Sequence, residues 1–137
     1  MIIRRFEKDD LDKLAIQDEQ KHELDNGAFF RAENCFSFVK DDEVLGVFGF
    51  FEIYKGRAVV FSFISANAGK HLFSVAKGLK KLIEDGMNRT GTERLEMEVM
   101  ASFEHGERFA KLLGFECEGV MRKYYKGLDY KLFARVK

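Results

Sequence analysis

Three stretches of the chain carry residues whose types and spacing could do chemistry. The first is Ser65-Ala66-Asn67-Ala68-Gly69-Lys70-His71, small residues closed by a glycine and two basic side chains, just ahead of a helical pattern. A helix start offers amides without intrahelical acceptors and a partial positive charge. Glycine lets the backbone come close to a ligand, so phosphate is the group such a loop suits. The second stretch is Arg94 to Ala101, where Glu96 and Glu98 fall on one face of an alternating pattern, with Ser102 immediately behind. A carboxylate there can act as a general base and a serine can supply a hydroxyl. The same alternation also describes an ordinary solvated strand face. The third is Tyr124-Tyr125, two phenols that can give a proton or simply pack as edge aromatics.

Other chemistries are excluded more easily. His22, His71 and His105 are too scattered for a metal site or a nucleophilic triad, and no phosphate-binding Walker loop, zinc knuckle or nucleic-acid motif is present. Lys+Arg and Asp+Glu both number 23, so no global charge draws the chain to nucleic acid or to a membrane. Cys35 and Cys117 lie far apart, which suggests two reduced core thiols in a reducing compartment. The N-terminus has no apolar stretch of signal-peptide length, and the longest apolar run, Val44 to Phe51, falls short of the roughly 20 residues that span a bilayer. The expectation is a cytoplasmic protein without membrane or nucleic-acid partners.

The elements that must position these residues follow from periodicity. A short strand over residues 2–6 precedes a helix capped by Asp9 or Asp10, with Leu11, Leu14 and Ala15 at helical spacing, expected to run to about Asp25. Residues 35–40, 44–54 and 57–65 form a meander, the middle strand apolar on both faces. Leu72, Val75, Ala76, Leu79, Leu82 and Ile83 then make one clean helical stripe opposite Lys70, Lys77, Lys80 and Lys81. A strand at 94–101 follows, with Leu95, Met97 and Val99 inward. A short helix at about 104–113 stops at Gly114, and strands at about 115–125 and 129–136 close the chain. No linker or repeat divides this order, so residues 1–137 read as one domain. Its class is α/β (α+β), a mixed sheet of about seven strands with helices on both faces, in the order β-α-β-β-β-α-β-α-β-β.

That order, together with Leu113-Gly114-Phe115 followed by Glu116-Cys117-Glu118-Gly119 and the tail Tyr124 to Tyr130, resembles the GNAT superfamily of acetyl-CoA-dependent N-acetyltransferases. A narrower likeness, in the stretch from His105 to Phe115 and the terminal residues 132–137, is to small phage-encoded GNAT-like proteins. The resemblance implies acetyl-CoA as co-substrate and an amine acceptor of unknown identity. Its pyrophosphate would lie on the loop at Phe63, Ile64, Asn67, Ala68, Gly69, Lys70 and His71. The family's Arg/Gln-x-x-Gly-x-Gly/Ala pattern is broken in either register: with Gly69 as last glycine, Ile64 and Asn67 take the first two positions, and with Gly69 as first, Ala66 and His71 take the outer ones.

Aligned on Leu113-Gly114-Phe115, the family's catalytic Tyr falls on Ala110 and its pantetheine-binding Asn on Phe103. Glu98 as base and Ser102 as hydroxyl remain the candidate catalytic residues. Two readings stay open: an N-acetyltransferase, or a catalytically degenerate GNAT-fold protein that binds or serves in a virion. A homodimer, with Phe29, Phe30 or Tyr130 at its interface, is a further expectation, as is a place in the host cytoplasm or the virion if a phage encodes the chain.

Overall fold

The computed structural model describes residues 1–25 and 34–137. The candidate interface residues Phe29 and Phe30 lie outside them, and the third, Tyr130, is buried at 3% exposure and so offers no interface surface. The strands are β1 (Ile2–Arg5), β2 (Cys35–Lys40), β3 (Glu43–Tyr54), β4 (Arg57–Ile64), β5 (Arg94–Met100), β6 (Glu116–Tyr125) and β7 (Leu128–Val136). They form a seven-stranded sheet in the order β1-β2-β3-β4-β5-β7-β6. The β4–β5 pair is parallel and the β1–β2, β2–β3, β5–β7 and β6–β7 pairs are antiparallel, so the sheet is mixed, as the element order required. The helices are α1 (Asp10–Lys13), α2 (Leu72–Thr90) and α3 (Glu104–Leu112). The chain divides into two compact units, residues Met1–Phe51 with Phe61–Val75, and Glu52–Val60 with Ala76–Lys137.

In the first unit, β2 turns into β3 through Asp41 and Asp42, both at positive φ, the two-residue hairpin geometry whose twist matches that of the strands. Phe6, Leu14, Cys35, Val44, Val47 and Phe63 make the apolar cluster under the N-terminal segment. The apolar run of β3 is buried only from Val44 to Gly49; Phe50, Ile53 and Tyr54 are exposed, so the strand is covered on both sides over half its length.

The first helix departs from expectation. It ends at Lys13, Leu14 turns extended (ψ 125°), and a 3₁₀ helix resumes only over Asp18–Asp25. Tertiary bonds replace the helical ones: the Ala15 carbonyl accepts from the Ala66 amide (2.8 Å), Gln17 Nε2 donates to the Ile64 carbonyl (2.9 Å) and Gln20 Nε2 to the Ser62 carbonyl (2.9 Å). Neither aspartate caps the helix by its side chain in the ordinary way. Asp10 is instead fully buried, receiving Arg4 through two 2.8 Å bonds, the Ser37 hydroxyl at 2.7 Å and the Glu7 amide at 2.8 Å. Burial works to raise its pKa, but those donors together hold it down at about 2.

In the second unit, β7 pairs with β5 over the whole of Arg94–Met100 and with β6 on its other edge. Lys126 and Gly127, both at positive φ, make the tight turn between β6 and β7. The stop expected at Gly114 is present in full. The Phe115 amide donates to the Ala110 carbonyl (3.1 Å) and the Gly114 amide to that of Lys111 (3.0 Å), with Gly114 at φ 90°, which is the Schellman motif. Arg135 Nη1 adds a bond to the Leu113 carbonyl at 2.9 Å.

Candidate functional site

The Ser65–His71 loop is built by Ser65. Its amide donates to the Leu45 carbonyl (2.8 Å), while its own hydroxyl accepts from the Asn67 amide (3.0 Å) and its carbonyl from the Ala68 amide (3.0 Å). The Ala66 amide is taken by Ala15 and the His71 amide by the Ala68 carbonyl (2.8 Å). Two amides are left over: those of Gly69 and Lys70 have no acceptor among the described residues. The backbone explains their direction. Ala68 is right-handed (φ −61°, ψ −37°) and Gly69 left-handed (φ 47°), a succession that turns consecutive N–H groups toward one point and makes a concavity for an anion. α2 begins at Leu72 directly behind, adding its dipole. Lys70 is exposed and its ammonium makes no ion pair among the described residues. Phe63 and Ile64, the last residues of β4, are buried, and His71 is half-buried.

The other candidates lie in the second unit. Glu98 is exposed on β5, and the Tyr124 hydroxyl donates to its Oε1 at 2.7 Å. Tyr124 sits in an irregular stretch of β6 between the Met121 and Tyr125 pairings, where Lys123 adopts φ 47° and its amide donates to Asp129 Oδ1 (2.9 Å). Such a bulge re-aims side chains, and here it swings the phenol toward β5. The hydrogen bond to Glu98, with burial and the carboxylate's charge, pushes the Tyr124 pKa up to about 12. Tyr125 instead packs edge-on against Tyr130.

Glu96 does not share the solvated character expected of that face. It is 5% exposed and receives Arg57 Nε at 2.5 Å and Arg94 Nε at 2.7 Å, while Arg94 Nη2 also donates to Glu118 at 2.6 Å. The Arg57 hydrogen bond, opposed by burial and aided by Arg94, holds the Glu96 carboxyl below its ordinary range. Glu96 is therefore a buried, neutralised strut. Cys117 is exposed on β6, so only Cys35 is the core thiol anticipated for both.

At the two ends of α3, the positions that the resemblance marks hold apolar core residues. Ala110 is fully buried and Phe103 is 6% exposed, folded onto Gly106 so closely that a Cβ there would lie 2.5 Å from its ring. Ser102 is exposed, and its hydroxyl makes no hydrogen bond among the described residues. No group of three or more His, Cys, Asp or Glu among the described residues could hold a metal ion, and no described helix is long and apolar enough to cross a membrane.

Sequence reading placed Ser65 in the loop without its role in building it, and missed the arginine pair around Glu96, and Gln17 and Gln20. A serine followed by small residues is a turn signal that points to the first; Arg94, two residues from Glu96 on one strand face, is a local signal for that pair, and nothing local marks Arg57, Gln17 or Gln20.

No protein-family model matches the chain, and no curated protein matches its sequence. Solved structures do. A probable acetyltransferase from Staphylococcus epidermidis superposes with a TM-score of 0.76 at 15% identity, covering 99% of this chain and 98% of that one. A GNAT-family acetyltransferase from Bacillus anthracis gives 0.74 at 13% identity, over 98% and 93%. The microcin C7 self-immunity acetyltransferase MccE, in complex with acetyl-CoA and AMP, gives 0.65 at 22% identity, over 75% of this chain and 60% of that one. The chain thus has the fold of GNAT acetyltransferases.

Proposed function

We propose that the chain binds acetyl-CoA and transfers its acetyl group to an amine. The observation that carries this is the pair of free amides on Gly69 and Lys70, converging at the head of α2. They suit a pyrophosphate, with Asn67, Ala68 and His71 around it, Lys70 adding charge, and Phe63 and Ile64 beside the arm of the cofactor. MccE, which shares the fold, is a structure with acetyl-CoA.

Glu98 is the base in this reading. Its carboxylate takes a proton from the ammonium of the acceptor, freeing the nitrogen lone pair to attack the thioester carbonyl. The carbon–sulfur bond breaks and the thiolate takes up a proton. Tyr124 holds Glu98 in place and can relay that proton, because Glu98, having just taken one from the acceptor, can replace it through the hydrogen bond between them. Ser102 is a second hydroxyl available to the same step. The reading implies a compartment that supplies acetyl-CoA, the cytoplasm.

Calorimetric titration with acetyl-CoA tests the binding, and free-thiol release with a panel of amines tests the transfer. Glu98→Gln is expected to lower turnover by about 10²-fold or more while leaving acetyl-CoA affinity unchanged. Absence of binding at hundreds of micromolar ligand would sink the reading.

A second reading is favoured by α3: Phe103 at its N-cap and Ala110 in its last turn are core residues, so the two positions to which the resemblance assigns the pantetheine contact and the catalytic side chain carry neither here. The chain would then bind acetyl-CoA without transferring it, as a binding or virion-associated component of the kind the phage resemblance implies. Thioester turnover with any amine, lost in Glu98→Gln, decides against it.

A further inference from the structure

On β4 the ladder to β5 covers Arg57 to Val59. Further along, Ser62, Ile64 and Ala66 are alternate residues and present their polar backbone groups on one edge. Ser65 lies out of that alternation, and its amide turns the other way, to Leu45 on β3. A strand edge of this kind must find donors and acceptors, from water, from another strand or from a ligand.

Here the N-terminal segment supplies them in antiparallel order: Gln20 to Ser62, Gln17 to Ile64, Ala15 to Ala66. Two of the three contacts come from side-chain amides rather than backbone, and the segment that carries them is a broken helix ending in 3₁₀ geometry, the less stable form. Side-chain amides can swing away without unfolding a strand. What would replace them is an extended chain bearing amide N–H donors at strand-like spacing, which docks on an edge as an added strand does.

We propose that Gln17 and Gln20 are a latch on this edge, competing with the amide-bearing arm of the cofactor for the carbonyls of Ile64 and Ser62. This rests on the acetyl-CoA reading above: the edge leads through Ala66 into the loop whose free amides suit the pyrophosphate, so one ligand would engage the loop by its phosphates and the edge by its diamide arm. The latch keeps both carbonyls satisfied when no ligand is bound, and opening it is part of the cost of binding.

The test compares the wild type with Gln17→Met and Gln20→Met, which keep length and bulk but cannot donate. Acetyl-CoA and the adenosine bisphosphate half of CoA, which lacks the arm, are titrated into each, with thermal melts to confirm folding. A net hydrogen bond contributes about 1 kcal/mol, so each variant should bind acetyl-CoA about fivefold more tightly while binding the arm-less half unchanged. Wild-type binding of acetyl-CoA with equal or weaker binding by folded variants overturns the latch and leaves the acetyl-CoA reading standing. Tightening of both ligands alike overturns it too, since the effect would then not run through the arm. No binding by any protein overturns both.

Discussion

Two glycines stand at the heads of two helices for opposite reasons. Gly69, ahead of α2, adopts φ 47°, and a Cβ added there would meet nothing within 4 Å. Its value is conformational. Gly106, in the first turn of α3, has no such backbone demand, but a Cβ there would lie 2.5 Å from the Phe103 ring and 2.9 Å from Val99. Its value is space. The first glycine leaves a helix start open with two amides free; the second lets a phenylalanine close one. A helix start is thus not a ligand site by its dipole alone: what fills it decides.

The largest expected effect breaks the open end. In Gly69→Val the side chain has room, so the fold should persist, but a β-branched residue in the left-handed region costs on the order of 1–3 kcal/mol. The backbone escapes that strain by rotating the Gly69 and Lys70 amides out of convergence. Acetyl-CoA affinity should fall about ten- to a hundredfold with a melting temperature close to wild type. Unchanged affinity would show that the converging amides are not the phosphate site.

Gly106→Ala breaks the closed end. Alanine is the better helix former by about 1 kcal/mol, yet the clash with Phe103 and Val99 is a core overpacking of roughly 1–3 kcal/mol. Net destabilisation, seen in urea denaturation, with acetyl-CoA affinity retained is the expected pair of results. A stabilised variant would mean that Phe103 moves freely and that α3 is not sealed.

How much of this the sequence showed differs between the two ends. Strand positions were legible because alternation and tight turns are local: β2, β6 and β7 fall where the pattern puts them, and Gly114 ends α3 as a glycine should. The first helix was not, because Leu11, Leu14 and Ala15 do have helical spacing, and only distant partners at Ser62, Ile64 and Ala66 pull the following turn apart. Glu96 read as solvated because Arg57 reaches it from another strand and leaves no mark near it in the sequence, while Arg94, two residues before it on β5, looks like one more polar residue of a solvated face. At the loop the resembled string of glycines is broken, yet the amides of Gly69 and Lys70 converge, since that needs one left-handed residue and not a particular string of glycines. The absence of reactive side chains at Ala110 and Phe103 was visible at once, but that they are packed shut was not.

Acid should separate the two ends further. The Asp10 carboxyl, fully buried with Arg4 and Ser37, titrates at about 2 when folded, below its ordinary value of 3.8. The folded state therefore binds its proton less readily than the unfolded one. Its stabilisation is complete above pH about 4 and is lost as pH falls through about 2. The shift corresponds to roughly 2 kcal/mol. Asp10 heads the segment whose Ala15 carbonyl holds the Ala66 amide, so this loss falls on the side of the loop. Asp10→Asn should flatten the pH dependence of unfolding between about 4 and 2, whereas Gly106→Ala should lower stability by the same amount at every pH. An equal acid slope in Asp10→Asn would place the titration elsewhere.

The smallest effect distinguishes fixed donors from mobile charge within the loop itself. Lys70 contributes both a backbone amide and a side-chain ammonium, and only the first is held by the fold. The ammonium is exposed, unpaired among the described residues and free to turn, so its attraction to a phosphate is screened by salt and diminished by the entropy of holding a long side chain in place. Lys70→Gln keeps the amide and removes the charge, and should weaken acetyl-CoA binding only about two- to fourfold in low salt, the difference vanishing near molar salt. The loss in Gly69→Val should persist at every ionic strength, because it comes from backbone geometry. If Lys70→Gln proves the more damaging of the two, the ammonium rather than the converging amides holds the anion, and the contrast between the two helix heads would rest on a side chain instead of on a glycine.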